Sequence, residues 1–260
     1  MTTQSQFGRI ELFDDFCGPE IPVANAVAYG VTAGGCSYYI GPYKVTGDLG
    51  ENDTGIIGVD GVINGVIRVG NNNENGKGVA IGTGIHFSPV LNGMLVAETR
   101  VQRPVVTAGN VFFGFCDVNA DDVAEPITAT GTTLTLTASD ICGFLLDSQL
   151  TATADWHMPY NGGTTTGATD STAVVSDVTA VGGGAGASKW DILRIEIASD
   201  GTAFWYINGV LKQTVANAVS TTVLLGAYVG CWGTASTLAS VDVDYLAVSG
   251  NRDWTVLLPA

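Results

Sequence analysis

Between Trp190 and Val215 the chain alternates apolar and polar residues with a period of two and reverses direction twice. Leu193, Ile195 and Ile197 fall on one face of a strand and Arg194 and Glu196 on the other, and Ser199-Asp200-Gly201 then supplies a turn. Residues 204–207 make the next strand, Asn208-Gly209 is the dipeptide of a type I′ hairpin, and residues 210–215 return. The pattern predicts three strands in a tight antiparallel meander. Such a meander is stable only when its apolar face is covered by another layer.

The rest of the chain repeats the theme without helical periodicity. Short runs rich in Val, Ile, Thr, Phe and Tyr occur at 10–16, 37–40, 94–103, 110–117, 132–137, 141–147, 172–181, 221–229 and 240–248. The run at 55–69 is broken by Asp60-Gly61 and Asn64-Gly65, and a short apolar stretch flanks His86. These predict an all-β chain folded as two packed sheets of about six strands each. Thirty-five glycines and a charged fraction of only 13% fit this reading and exclude disorder and coiled coil. Glycine-rich stretches at 161–170 and 182–186 read as loops or hairpin tips, because apolar strands resume on both sides. With no internal repeat, the expected division is an N-terminal arm at 1–9, a single β-sandwich domain at 10–254 and a C-terminal tail at 255–260.

Ten basic residues against 25 acidic ones give a net charge of −15. A nucleic-acid backbone is repelled by such a chain, and no basic patch offsets this. No run of about 18 apolar residues marks a membrane span, and no charged leader precedes an apolar run. Cys17, Cys36, Cys116, Cys142 and Cys231 are odd in number and lack C-x-x-C spacing. They are expected to be reduced and mostly buried, in a protein made and kept in a reducing cytosol.

Three segments together resemble the concanavalin A-like, laminin G-like jelly-roll sandwich. Glu11-Leu12-Phe13-Asp14-Asp15-Phe16 is similar to the first strand of such folds, and the meander from Trp190 to Gly209 to their central hairpin. Val241-Asp242-Val243-Asp244-Tyr245-Leu246-Ala247-Val248 is similar to their last strand, which the resemblance places beside the first. In between, Glu98-Thr99-Arg100-Val101 and Val111-Phe112-Phe113-Gly114-Phe115 fit the paired central strands. The resemblance implies a two-sheet antiparallel jelly roll but no single activity, since this fold carries lectins, glycosidases and capsid proteins.

The chemistry legible in the residues is sparse. Retaining endoglucanases of this fold alternate carboxylates on one strand as E-x-D-x-E, and that pattern is absent. Asp242 and Asp244 alternate correctly but lack a Glu partner, and are expected on an outward face with Val241, Val243 and Tyr245 packed inward. Asp117-Val118-Asn119-Ala120-Asp121-Asp122 imitates the start of a calcium loop, although Asp122 replaces the glycine and Thr128 the bidentate glutamate. Asp117, Asn119 and Asp121 are therefore the metal candidates, with calcium as the one cofactor the pattern suggests, and a plain acidic turn is the competing reading. Two histidines, His86 and His157, leave few ways to assemble a catalytic triad, and the cysteines lack zinc spacing. Trp156, His157 and Tyr160, beside the Asn161-Gly162-Gly163 loop, are the candidate sugar platform, with core packing as the alternative for each aromatic.

The low-charge, Gly/Thr/Ala-rich, acidic style of the sequence resembles the decoration (cement) proteins on the heads of tailed bacteriophages. That resemblance implies a non-enzymatic virion protein on the capsid surface. It would clamp neighbouring copies of the major capsid protein, as a homo-oligomer, without nucleic-acid or membrane partners. The alternative is a lectin-like, carbohydrate-binding module for host or surface attachment.

Overall fold

The computed structural model describes residues 8–18, 38–47, 55–59, 61–71, 76–102, 109–118, 125–151, 155–165, 167, 190–234 and 239–252. In chain order the strands are β1 (Arg9–Asp14), β2 (Tyr38–Ile40), β3 (Tyr43–Gly47), β4 (Gly55–Gly58), β5 (Ile67–Asn71) and β6 (Gly78–Gly82). A one-turn helix α1 (Pro89–Asn92) precedes β7 (Leu95–Gln102) and β8 (Asn110–Cys116). Then come β9 (Ile127–Thr130), β10 (Thr133–Leu136), β11 (Ile141–Asp147), β12 (Tyr160–Asn161), β13 (Asp191–Ile197), β14 (Ala203–Ile207), β15 (Val210–Val215), β16 (Gly226–Trp232) and β17 (Ala239–Asn251). No helix among the described residues is long and apolar enough to cross a membrane. The predicted run at 172–181 lies outside the described residues.

Two antiparallel sheets face each other, wider than the expected six strands. One has eight strands in the order β15-β14-β13-β7-β17-β5-β4, with β1 pairing to β17 beside β5. The other has seven, β12-β11-β8-β16-β6-β3-β2, and the β9–β10 hairpin stands apart as a third, two-stranded piece. The meander forms as predicted, with Asn208 and Gly209 both at positive φ in the turn. The first and last strands pair antiparallel, Arg9 opposite Asn251 and Asp14 opposite Leu246, as the resemblance implied.

Alternation explains the core. Leu193, Ile195 and Ile197 with Ala203, Trp205 and Ile207 point from the eight-stranded sheet at Phe113, Phe115, Phe144 and Val229 of the other. Tyr43 ties the layers polarly, its hydroxyl donating between the carbonyls of Leu12 (2.9 Å) and Leu246 (2.8 Å). Burial pushes its phenol pKa up. Trp205 likewise sends its Nε1–H across to the carbonyl of Gly143 at 2.7 Å.

The outer face of the eight-stranded sheet carries the charges that the period predicts. Arg68 pairs with Asp242 (2.6 Å) and Arg100 with Asp244 (2.8 Å), so both aspartates do face outward. Tyr245 does not point inward as expected. A β-bulge between Val243 and Tyr245 adds a residue to β17 and turns the tyrosine out. Its ring sits 6.0 Å from Phe13 and its hydroxyl donates to Glu98 at 2.7 Å.

Candidate functional site

The proposed sugar platform is taken apart by the sheet pleat. Residues 156–161 run along the free edge of β11, with His157 opposite Leu145 and Tyr160 opposite Cys142. Trp156 therefore turns into the space between the sheets, edge-on to Phe144, and is fully buried. Its Nε1–H donates to Asp191 Oδ2 at 3.1 Å. Tyr160, half-buried, packs against Trp205. His157 points the other way and is buried as well. The three residues share one strand-like segment but form no common surface, and the fully buried Trp156 offers no open ring face to a sugar.

Of the calcium candidates, Asp117 alone is described, and Asn119 and Asp121 lie outside the described residues. Asp117 follows β8, its backbone N–H bonds the carbonyl of Asp140 at 3.0 Å, and its buried Oδ1 has no hydrogen-bond partner. Asp140 is committed to the backbone N–H of Ser220 at 2.8 Å. No group of three or more His, Cys, Asp or Glu side chains that could hold a metal occurs among the described residues.

At its central strands the seven-stranded sheet is not open to solvent on its outer face. Every residue of β8, β11 and β16 is buried on both faces. The β9–β10 hairpin is fastened there by Asn110, whose Nδ2 donates to Ile127 O at 3.3 Å and to Glu125 Oε1. Its tip is clasped by Gly131 N to Gln149 O and Thr151 N to Gly131 O, both 2.9 Å. Burial, and next the charge of Asp147, push the Glu125 carboxyl up to about 7, against the smaller opposing effect of the Asn110 bond. A raised carboxyl beside a second carboxyl resembles an acid/base pair. Asp147, however, is wholly buried with Oδ1 accepting from Gln149 N (2.8 Å), so the pair is closed to a polymer substrate and serves as the hairpin's seat.

An open cleft lies elsewhere, at the edge where β2 and β3 approach β1. It encloses about 640 Å³ between Ile10, Leu12, Tyr39, Lys44, Thr83 and His86, with Pro42, Ile85 and Phe87 completing the wall. The β2–β3 turn places Tyr39 opposite Lys44, on the same side of the hairpin. Gly41 occupies that turn at φ +54°, and a side chain there would strike the carboxylate of Asp14. Asp14 is itself folded back, accepting from Phe16 N at 2.7 Å, so the Asp-Asp-Phe segment braces the cleft. Tyr39 is 66% exposed and His86 is exposed, anchored by its backbone N–H on Leu225 O (3.1 Å). An exposed phenol beside apolar walls with a few polar groups is the composition of a small-ligand site. Sequence reading missed it because its lining comes from three separate segments, Ile10 and Leu12 in β1, Tyr39 and Lys44 in the β2–β3 hairpin, and Thr83 to Phe87. The one local hint was an aromatic pair, Tyr38-Tyr39, at a short strand.

No family model matches the sequence, and no curated protein matches it. Solved structures do match in shape. A protein of unknown function from Shewanella oneidensis MR-1 superposes over 98% of this chain and 92% of its own, at TM-score 0.56 and 11% identity. A prokaryotic β-1,3-1,4-glucanase (lichenase) derived from a mouse hindgut metagenome covers 92% and 98%, at 0.53 and 11%. The carbohydrate recognition domain of Emp47p covers 96% and 100%, at 0.53 and 12%. The fold is the concanavalin A-like jelly-roll sandwich. At these identities the likeness fixes the architecture and leaves activity to the site.

Proposed function

We propose that this jelly roll is a non-catalytic carbohydrate-recognition module whose sugar site is the cleft beside Tyr39. The observation that carries the reading is the accessible Tyr39 ring at the mouth of a cleft of about 640 Å³, with Lys44 and His86 as polar neighbours. An aromatic face stacks on the apolar face of a pyranose, and a few polar groups orient its hydroxyls. The Emp47p domain, a carbohydrate recognition domain by name, shares the architecture and lends the reading an analogy. A non-catalytic role is supported by the outer-face carboxylates Glu98, Glu196, Asp242 and Asp244, all engaged by arginines, and by the half-buried Glu125 and fully buried Asp147 under the β9–β10 hairpin.

The test is a glycan array followed by calorimetry on the best ligand. Tyr39→Ala is expected to weaken binding at least about tenfold, Tyr39→Phe to keep most of it, and Trp156→Phe to leave it unchanged. Binding indifferent to Tyr39→Ala, or no glycan bound at all, would overturn the reading.

A second reading, a decoration protein clamped on a phage capsid, is favoured by the net charge of −15. Such a charge suits a partner presenting Lys and Arg, here the major capsid protein. Attachment to purified shells should then weaken as salt rises, because screening over about 8 to 10 Å cuts long-range steering. Salt-insensitive attachment abolished by Tyr39→Ala would decide for sugar recognition instead.

A further inference from the structure

The eight-stranded sheet has an outer face unlike the rest of this acidic molecule. One transverse row across β14, β13, β7, β17 and β1 reads Tyr206, Arg194, Glu98, Ala247 and Phe13, each opposite the next in strand register. Arg194 pairs with Glu98 at 3.8 Å and with Glu196, and its guanidinium lies 5.9 Å from the Tyr206 ring. Arg100 covers the Trp190 ring at 4.7 Å, and Arg9 pairs with Glu11 at 3.2 Å. Phe13 is 58% and Ile192 37% exposed on the same face.

The charge is segregated. Four of the ten basic residues (Arg9, Arg68, Arg100, Arg194) and five of the 25 acidic ones (Glu11, Glu98, Glu196, Asp242, Asp244) lie in these ion pairs. Among the other described residues, nine acidic side chains stand against four basic ones, Lys44, Lys77, Lys212 and Arg252. The ion pairs of this face are thus nearly neutral, and the face is rich in arginine and aromatics and mixed in sign, while the other described residues carry an excess of negative charge. Arginine, tyrosine, tryptophan and phenylalanine are the residues enriched in protein interfaces.

We propose that this face is an isologous interface that docks a second copy of the same chain. A basic partner is drawn to the acidic remainder, whereas a like-charged copy meets least repulsion where the charges are already paired. Mixed signs make the face complementary to itself under a two-fold rotation, which is how a closed dimer is built. Five strands about 4.8 Å apart and seven residues long present on the order of 600 Å² per copy, the lower end of what specific interfaces bury. This interface is independent of the sugar reading, since the Tyr39 cleft takes Ile10 and Leu12 from one face of β1 and the interface takes Arg9, Glu11 and Phe13 from the other.

Sedimentation velocity on the full chain up to about 100 µM is the test, with melting curves to show that each variant is folded. The wild type is expected to be a dimer. Phe13→Glu and Ile192→Glu are each expected to raise its dissociation constant at least about tenfold, while Ile63→Glu, 83% exposed in the turn between β4 and β5 and outside the paired row, leaves it within about twofold. A monomer throughout the range, a dimer untouched by both face variants, equal weakening by Ile63→Glu, or open-ended assembly would each overturn the proposal.

Discussion

The indole of Trp156 donates its Nε1–H to the buried carboxylate of Asp191 at 3.1 Å, joining the edge of one sheet to the first residue of β13 in the other. The other oxygen of Asp191 accepts Nδ2 of Asn208 at 2.9 Å, and Asn208 Oδ1 in turn accepts from Ile192 N at 2.9 Å. The hairpin-turn asparagine, the buried acid and the tryptophan form one chain of bonds. Removing the indole donor leaves a buried carboxylate short of one partner. Trp156→Phe is therefore expected to lower stability by about 1 to 3 kcal/mol in urea unfolding, with glycan binding intact. A loss of sugar affinity without loss of stability would contradict this structural role.

Glu125 should make stability depend on pH. Its carboxyl, raised from 4.5 to about 7, stays protonated in the folded protein over a range where the unfolded chain has released the proton. The folded state then binds more protons, so this group's contribution is fully present below about pH 4.5 and is lost as pH rises through about 7. Glu125→Gln keeps an acceptor for Asn110 and removes the ionisation. It should match the wild type near pH 4.5 and exceed it increasingly up to pH 8, by at most about 3 kcal/mol. A stability difference that does not vary with pH would show that the hairpin's seat is insensitive to this carboxyl.

The cysteines divide by exposure rather than sharing one fate. Cys116, Cys142 and Cys231 are buried in β8, β11 and β16, whereas Cys17, just past β1, is exposed, contrary to the sequence expectation. Cys36 lies outside the described residues. Burial pushes the Cys116 thiol up to about 12, which suppresses its thiolate. A thiol reagent under native conditions should label Cys17 within the first minutes and reach Cys116, Cys142 and Cys231 only on unfolding, as peptide mapping would show. Fast native labelling of any of those three would count against the packing described.

Glycine at two positions makes room for one ring. A Cβ on Gly78 or on Gly230 would fall onto the indole of Trp232, which lies across both strands. Neither site has a flexible neighbour that can retreat, because Trp232 is fully buried. Gly230→Ala should cost about 1 to 3 kcal/mol, read from the denaturation midpoint, and the double variant Gly230→Ala with Trp232→Leu should recover part of it. Simple additivity of the two losses would refute the steric explanation.

What the sequence determined by itself is local. Alternation at Leu193, Ile195 and Ile197 with Asn208-Gly209 specified the meander, its register and its inward face, because strand period and turn chemistry act between neighbours. The pairing of residues 10–16 with 240–248 was reachable only through resemblance, and β17 turned out to share one edge between β5 and β1. Tertiary structure decided which faces stay open. A period of two tells that Trp156 and His157 point opposite ways, but not that one side meets a second sheet and that the other is covered too, so both residues vanish from the surface. The bulge before Tyr245 shifts that ring outward by one residue that no local pattern marks. The Tyr39 cleft exists because three segments distant in sequence converge on the β2–β3 edge, and convergence of that kind depends on long-range packing, which residue spacing does not encode.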